Sequence, residues 1–176
     1  MTAIFLLKHS SKISSTQFIE YILKYKYAMS EEQIHIRVGS SGKPFLLNNQ
    51  GLHYNVSHTK GAIIAIVALE NVGIDIERVR KWNRRIVEKF FTENEQRYIL
   101  SSESEYVRNT RFFEVWTKKE AFLKWLGTGL DAELDSFDVF EQPNIVTWHY
   151  SEFIVSICME SKNSINENIV TIENFV

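Results

Sequence analysis

The stretch Gly73-Ile74-Asp75-Ile76-Glu77 places two carboxylates two residues apart among β-branched apolar residues. In a strand, successive side chains alternate between faces, so Asp75 and Glu77 point one way and Ile74 and Ile76 the other. The isoleucines can anchor in a core while the acids reach into a cleft, close enough to share one hard cation. Such cations take oxygen ligands, and Mg2+ is commonly held by one or two carboxylates together with substrate phosphates. Strand alternation also produces Asp-x-Glu pairs that are only the wet face of an edge strand. The choice turns on whether the chain carries the other parts of a phosphate site.

A second constellation is Trp116-Thr117-Lys118-Lys119-Glu120-Ala121-Phe122-Leu123-Lys124. Trp116, Glu120 and Lys124 stand four apart and form one stripe on a helix. An exposed Glu–Lys pair at that spacing is an ordinary surface feature worth about 0.2–0.5 kcal/mol. Here Phe112, Phe113, Val115, Trp116, Ala121, Phe122, Leu123, Trp125 and Leu126 cover most of the circumference, so the helix is buried over much of its surface. An acid and a lysine on it need partners, and a metal and a phosphate would serve. Lys43 stands in the glycine-bracketed loop Gly39-Ser40-Ser41-Gly42-Lys43-Pro44, which suits presentation to a phosphate, although any exposed loop can contain such a lysine and no Walker-type spacing is present. Ser57 and His58 end a strand. As neighbours they face opposite sides, which makes them a poor nucleophile–base pair, and a lone His is more often a structural hydrogen-bonder than a ligand.

The elements that must position these groups follow from periodicity and punctuation. Residues 3–8 read as a strand and 15–28 as a helix capped by Ser14-Ser15-Thr16. Residues 34–38, 45–47 and 53–58 read as strands. Residues 62–69 are apolar at almost every position, the mark of a strand buried on both faces. The acidic strand follows, then a helix over 85–91. Thr92-Glu93-Asn94-Glu95 is a capping box that opens another. The strongest helix spans 111–126, and Gly127-Thr128-Gly129 stops it. Strand-like segments lie at 136–140, 146–150, 153–159 and 169–172. The segment from His58 to Glu70 faintly echoes that from His149 to Glu160. Each is a His, a polar turn, a buried strand and a Glu, either two similar halves joined near residues 71–73 or chance likeness between apolar strands.

The 176 residues, 44% hydrophobic and 24% charged, fit one ordinary globular domain or two small halves sharing a core. A net charge of −2 argues against a protein whose whole surface binds nucleic acid, and a nucleic-acid-binding module would rest only on Arg78, Arg80, Lys81, Arg84, Arg85 and Lys89. That basic cluster, as well as being a solvated face, could steer an acidic partner. From residue 131 onward nine acids face one base, Lys162. The single Cys158, in an apolar run, is a buried thiol that excludes a disulfide framework and a cysteine zinc site. The N-terminus reads as a first strand with no signal-peptide pattern, and no apolar run is long enough to span a bilayer, so a cytoplasmic protein is expected.

Taken in order, Gly42-Lys43-Pro44, Tyr54-Asn55-Val56-Ser57-His58-Thr59, GIDIE at 73–77, Phe90-Phe91-Thr92-Glu93-Asn94-Glu95, WTKKEAFLK at 116–124 and Gly127-Thr128-Gly129-Leu130 resemble the signature of the 4'-phosphopantetheinyl transferase superfamily, most closely its Sfp type. The matches extend over about half the chain, and the GIDIE and WTKKEAFLK blocks together are highly specific.

The resemblance implies an α/β (α+β) fold of two similar halves, 1–72 and 73–176, in a pseudo-twofold arrangement with the active site in the cleft between them. It implies transfer of the phosphopantetheine arm of coenzyme A to a serine of an acyl or peptidyl carrier protein, with release of adenosine 3',5'-bisphosphate. Asp75, Glu77 and Glu120 would hold Mg2+, or Mn2+, with the coenzyme A pyrophosphate. Glu120 would also be the general base and Lys124 the stabiliser of phosphate charge. Lys43 and His58 would hold coenzyme A phosphates, with Ser57 alongside. Three carboxylates around one site repel one another without a metal. Carrier proteins are generally acidic, which gives the basic cluster a candidate partner. Leu130, Leu134 and Phe137 form either a docking surface or core. Two halves within one chain favour a monomer. The chain departs from the Sfp pattern in the short stretch, 42 residues, ahead of Lys43. It also lacks a clear match for the arginine ahead of the first helix, near which Lys12 falls. A catalytically inactive carrier-binding scaffold of the same fold is the alternative, against which all three acids and Lys124 are retained.

Overall fold

A computed structural model describes residues 2–8, 13–47, 51–129, 134–161 and 169–172; Lys12 and Leu130 lie outside them. The first sheet grows from β1 (Ala3–Lys8), β4 (His53–Thr59) and β5 (Ala62–Ala68). β5 is buried at every position, as its unbroken apolar run requires, and lies between β4 and β1, antiparallel to both. β9 (Ile169–Thr171) adds parallel to the free side of β1, giving the order β4-β5-β1-β9. β4 runs one residue past the expected end at His58. Thr59 pairs with Ala62, leaving only Lys60 and Gly61 to turn, and Gly61 takes φ +91°. The short β2 (Ile36–Val38) and β3 (Pro44–Leu46) form a separate ribbon that carries the Lys43 loop.

The second sheet has the order β6-β8-β7, from β6 (Val72–Arg78), β7 (Ile145–Tyr150) and β8 (Phe153–Met159). The central β8 is again buried throughout and antiparallel to both neighbours. Alternation sorts the side chains into layers. Ile4 and Leu6, Ile64 and Ile66, Ile74 and Ile76, Val155 and Ile157 form one core between the two sheets. Phe5, Ile63 and Val67 face the other way, onto Phe18, Ile19, Ile22 and Leu23 of α1 (Ser15–Lys26). Ile154 faces a third core built by α2 (Arg84–Phe90), α3 (Glu93–Leu100) and α4 (Glu105–Leu126). The outcome is a mixed helix-and-sheet fold with helices outside two packed sheets.

Three boundaries differ from expectation for local reasons. α1 stops at Lys26, ahead of Ala28 with φ 53°. α4 begins at Glu105, because the Ser104 hydroxyl caps Val107 N and lets a polar first turn form without apolar periodicity. The segment expected as a strand at 136–140 instead makes two short 3-10 turns, Leu134–Ser136 and Val139–Glu141. Its carbonyls at Leu134 and Phe137 are taken by the buried Lys119 ammonium, and Val139 N is taken by Glu95, so side chains replace a strand partner. Leu134 is buried and Phe137 packs against the third core, so these two serve as core.

Candidate active site

β6 is an edge strand of one sheet and β4 an edge strand of the other, and the two edges run side by side, joined through side chains. The Asn55 amide oxygen accepts from Ile74 N at 3.0 Å, the Ser57 hydroxyl donates to Asp75 Oδ1 at 2.6 Å, and the Thr59 hydroxyl donates to Glu77 Oε2 at 2.9 Å. With Val72, Ile74 and Ile76 in the central core, Gly73, Asp75 and Glu77 face α4. Gly73 is where the helix backbone touches the strand: a Cβ there would lie 2.1 Å from the Ala121 carbonyl oxygen and 2.4 Å from Trp125 N. Only a residue without a side chain permits that approach. It brings the Glu120–Lys124 face of α4 down beside the strand acids.

Asp75 is 5% exposed. Its Oδ1 accepts from Ser57 and from the Lys124 ammonium at 2.7 Å, whereas Oδ2 is buried with no hydrogen-bond partner. Burial pushes its carboxyl up, against Lys124 and Ser57, which hold it down. Lys124 also donates to Ser57 Oγ at 2.9 Å and to the Ile74 carbonyl at 3.2 Å. Glu77 Oε2 receives Arg80 at 2.7 Å as well as Thr59. Glu120 has no hydrogen-bond partner among the described residues. Burial first, then the charges of Asp75 and Glu77, raise its carboxyl from 4.5 to about 7, with Lys124 partly offsetting them. The expected acid trio and Lys124 are therefore brought together.

Among the described residues no three His, Cys, Asp or Glu side chains already converge as a ligand set. Lys124 on Asp75 and Arg80 on Glu77 take part of the charge that a cation would balance. The donor chemistry nonetheless fits a hard divalent ion: all oxygens, one of them buried and bare, and a carboxylate whose proton is held by burial and then by its neighbours' charge.

The other expected residues lie apart from this cluster. His58 points to the opposite face of β4 from Ser57, exposed, in a cleft of about 390 Å³ with Lys60 of the β4–β5 turn and with Ser14 and Ser15 at the start of α1. Lys43 lines a second cleft of about 290 Å³ with Tyr54, Asn71 and Gly127. Its ammonium is already engaged, donating to Asn71 Oδ1 at 2.7 Å and to the Val72 and Trp125 carbonyls at 3.1 and 3.3 Å. Burial pushes it down to about 8. Lys43 and Asn71 thus tie the ribbon and the β5–β6 turn to the C-terminus of α4, where the helix presents carbonyls. The six basic residues from Arg78 to Lys89 are all exposed. Sequence reasoning missed Asn55, Thr59 and Asn71 as holders of the site. Alternation does place Thr59 on the Ser57 side of β4, but only once the two-residue turn is recognised.

Comparison with known proteins bears on the same residues. The family model described as the 4'-phosphopantetheinyl transferase superfamily matches residues 71–172, which include β6, α4 and β8. The "4'-phosphopantetheinyl transferase psf-1" of Bacillus pumilus is 33% identical over 133 residues, 76% of this chain and 57% of the relative. The "4'-phosphopantetheinyl transferase ffp" of Bacillus subtilis is 31% identical over 69% of this chain and 54% of its own. The "4'-phosphopantetheinyl transferase gsp" of Aneurinibacillus migulanus reaches 38% over 60% and 44%. The chain spans about half the length of these curated relatives. With the family match covering over half of it, residues 71–172, the chain belongs to the 4'-phosphopantetheinyl transferase superfamily.

Proposed function

We propose that the protein transfers the 4'-phosphopantetheine arm of coenzyme A to a serine of an acyl or peptidyl carrier protein. The observation that carries this is the Asp75–Lys124 ion pair within electrostatic reach of Glu77 and Glu120, with Asp75 Oδ2 bare and the Glu120 carboxylate unpartnered among the described residues. Asp75, Glu77 and Glu120 would hold Mg2+, or Mn2+ in its place. When bound, the ion neutralises charge on the pyrophosphate. Glu120, with no hydrogen-bond partner of its own among the described residues, would take the serine proton. The serine oxygen then bonds to the phosphorus that carries pantetheine, and the bond to adenosine 3',5'-bisphosphate breaks. Lys124, swinging from Asp75, would face the charge that develops on the phosphate.

His58, beside Lys60 and the N-terminus of α1, suits a phosphate of the nucleotide half of coenzyme A, and a helix N-terminus adds to that attraction. Lys43 would meet coenzyme A from the second cleft by giving up one of its internal acceptors. The exposed basic cluster beside Glu77 suits an acidic carrier. The two halves, 1–72 and 73–176, would be related by a pseudo-twofold axis. In support, β5 and β8 are each an interior strand buried throughout and each follows its antiparallel hairpin partner. No helix among the described residues is long and apolar enough to cross a membrane, and a cytoplasmic monomer completes the proposal.

The test is incubation with coenzyme A, Mg2+ and a panel of apo carriers. The expected result is a carrier mass gain of one phosphopantetheine, lost in Glu120→Gln. Absence of transfer to every carrier, together with absence of coenzyme A binding, would overturn it.

A further inference from the structure

The two strand carboxylates share one pattern. Asp75 Oδ1 takes both the Ser57 hydroxyl and the Lys124 ammonium, and Oδ2 is left bare. Glu77 Oε2 takes both the Thr59 hydroxyl and the Arg80 guanidinium, and Oε1 has no hydrogen-bond partner among the described residues. In each case one hydroxyl from β4 and one cation occupy the same oxygen, so the other oxygen is left without a hydrogen-bond partner among the described residues.

The hydroxyl of Thr59 has a fixed sense. Arg78 N donates to Thr59 Oγ1 at 3.4 Å, and the hydroxyl proton goes to Glu77 Oε2 at 2.9 Å. A donor of that kind fixes the rotation of the carboxylate. Thr59 also sits at the last pair before the Lys60-Gly61 turn, so the β4–β5 ladder holds its backbone. Arg80 is an exposed side chain that can leave, whereas Thr59 is anchored.

We infer that Thr59 is a positioning residue, which reaches from one sheet to the other to orient Glu77 so that its free oxygen is available to the cation. The inference rests on the metal site proposed above and assigns to Thr59 a part in metal affinity without contact to metal or substrate. Outer partners of ligating carboxylates typically contribute about 10–100-fold in metal affinity.

The test is Mn2+ titration of the purified protein, without coenzyme A or carrier, read by electron paramagnetic resonance, alongside thermal unfolding. Thr59→Val keeps the shape and removes the donor; Thr59→Ser keeps the donor. The expected result is Mn2+ affinity about ten-fold weaker or more in Thr59→Val and restored to within about two-fold in Thr59→Ser. Both variants should remain folded. Equal affinity in Thr59→Val and the parent would overturn the inference alone, as would equal weakening in both variants. No Mn2+ binding by the parent would overturn the inference and the metal site together.

Discussion

Glu120→Gln should make the metal-free protein more stable while it removes transfer. The Glu120 carboxyl, ordinarily at 4.5, titrates at about 7 in the fold because it is buried beside two other acids. The folded chain therefore binds its proton more tightly than the unfolded chain, and between those values folding takes up protons. Stability from this group is present at low pH and falls as pH rises through about 7. At about 1.4 kcal/mol per pH unit, ionised Glu120 costs the fold about 3 kcal/mol above pH 7, which partial solvent access reduces to about 1–3. Glutamine abolishes that cost. In urea unfolding with EDTA, the variant should match the parent near pH 4.5 and exceed it by about 1–3 kcal/mol at pH 8, or about 2–10 °C in Tm. Mg2+ should stabilise the parent at pH 8 more than the variant. A variant no more stable than the parent at pH 8, or a difference that does not change with pH, would refute the electrostatic argument.

Gly73→Ala should prevent native docking of α4, because its Cβ would meet helix backbone at 2.1 and 2.4 Å, and backbone cannot swing aside. Circular dichroism and Tm should show a loss of about 3 kcal/mol or more, or no folded protein. Lys119→Met leaves the fully buried Glu95 without its 2.9 Å ion-pair partner and the Leu134 and Phe137 carbonyls without their donor. Chemical denaturation should register about 3–5 kcal/mol. The Cys158 thiol is fully buried, and burial pushes it up to about 12, so native protein should resist alkylation at pH 8 and react fully in denaturant. Rapid native labelling would refute its placement in the core.

Which of the candidate acids and lysines share a face was legible in the sequence because period is a local property. A two-residue repeat puts Asp75 and Glu77 on one face, and a four-residue spacing puts Glu120 and Lys124 on another, whatever surrounds them. The buried strands β5 and β8 were legible for the same reason, from unbroken apolar runs. The stretch at 136–140 was misread as a strand because its backbone partners are Lys119 and Glu95, at least 15 residues away, and no local pattern announces them.

What only the tertiary structure decided is which residues complete each charge. Lys43 reads alone as a lysine offered to a phosphate, and folding gives it three internal acceptors. Ser57 and His58 read as one dipeptide, and folding sends Ser57 to Asp75 and His58 to the start of α1. Thr59 reads as part of a turn, and folding makes it a rung between two sheets. Residue type and spacing determine which groups can share a face. The close contact at Gly73 and the edge-to-edge approach of β4 and β6 determine which faces meet, because both join residues far apart in the chain.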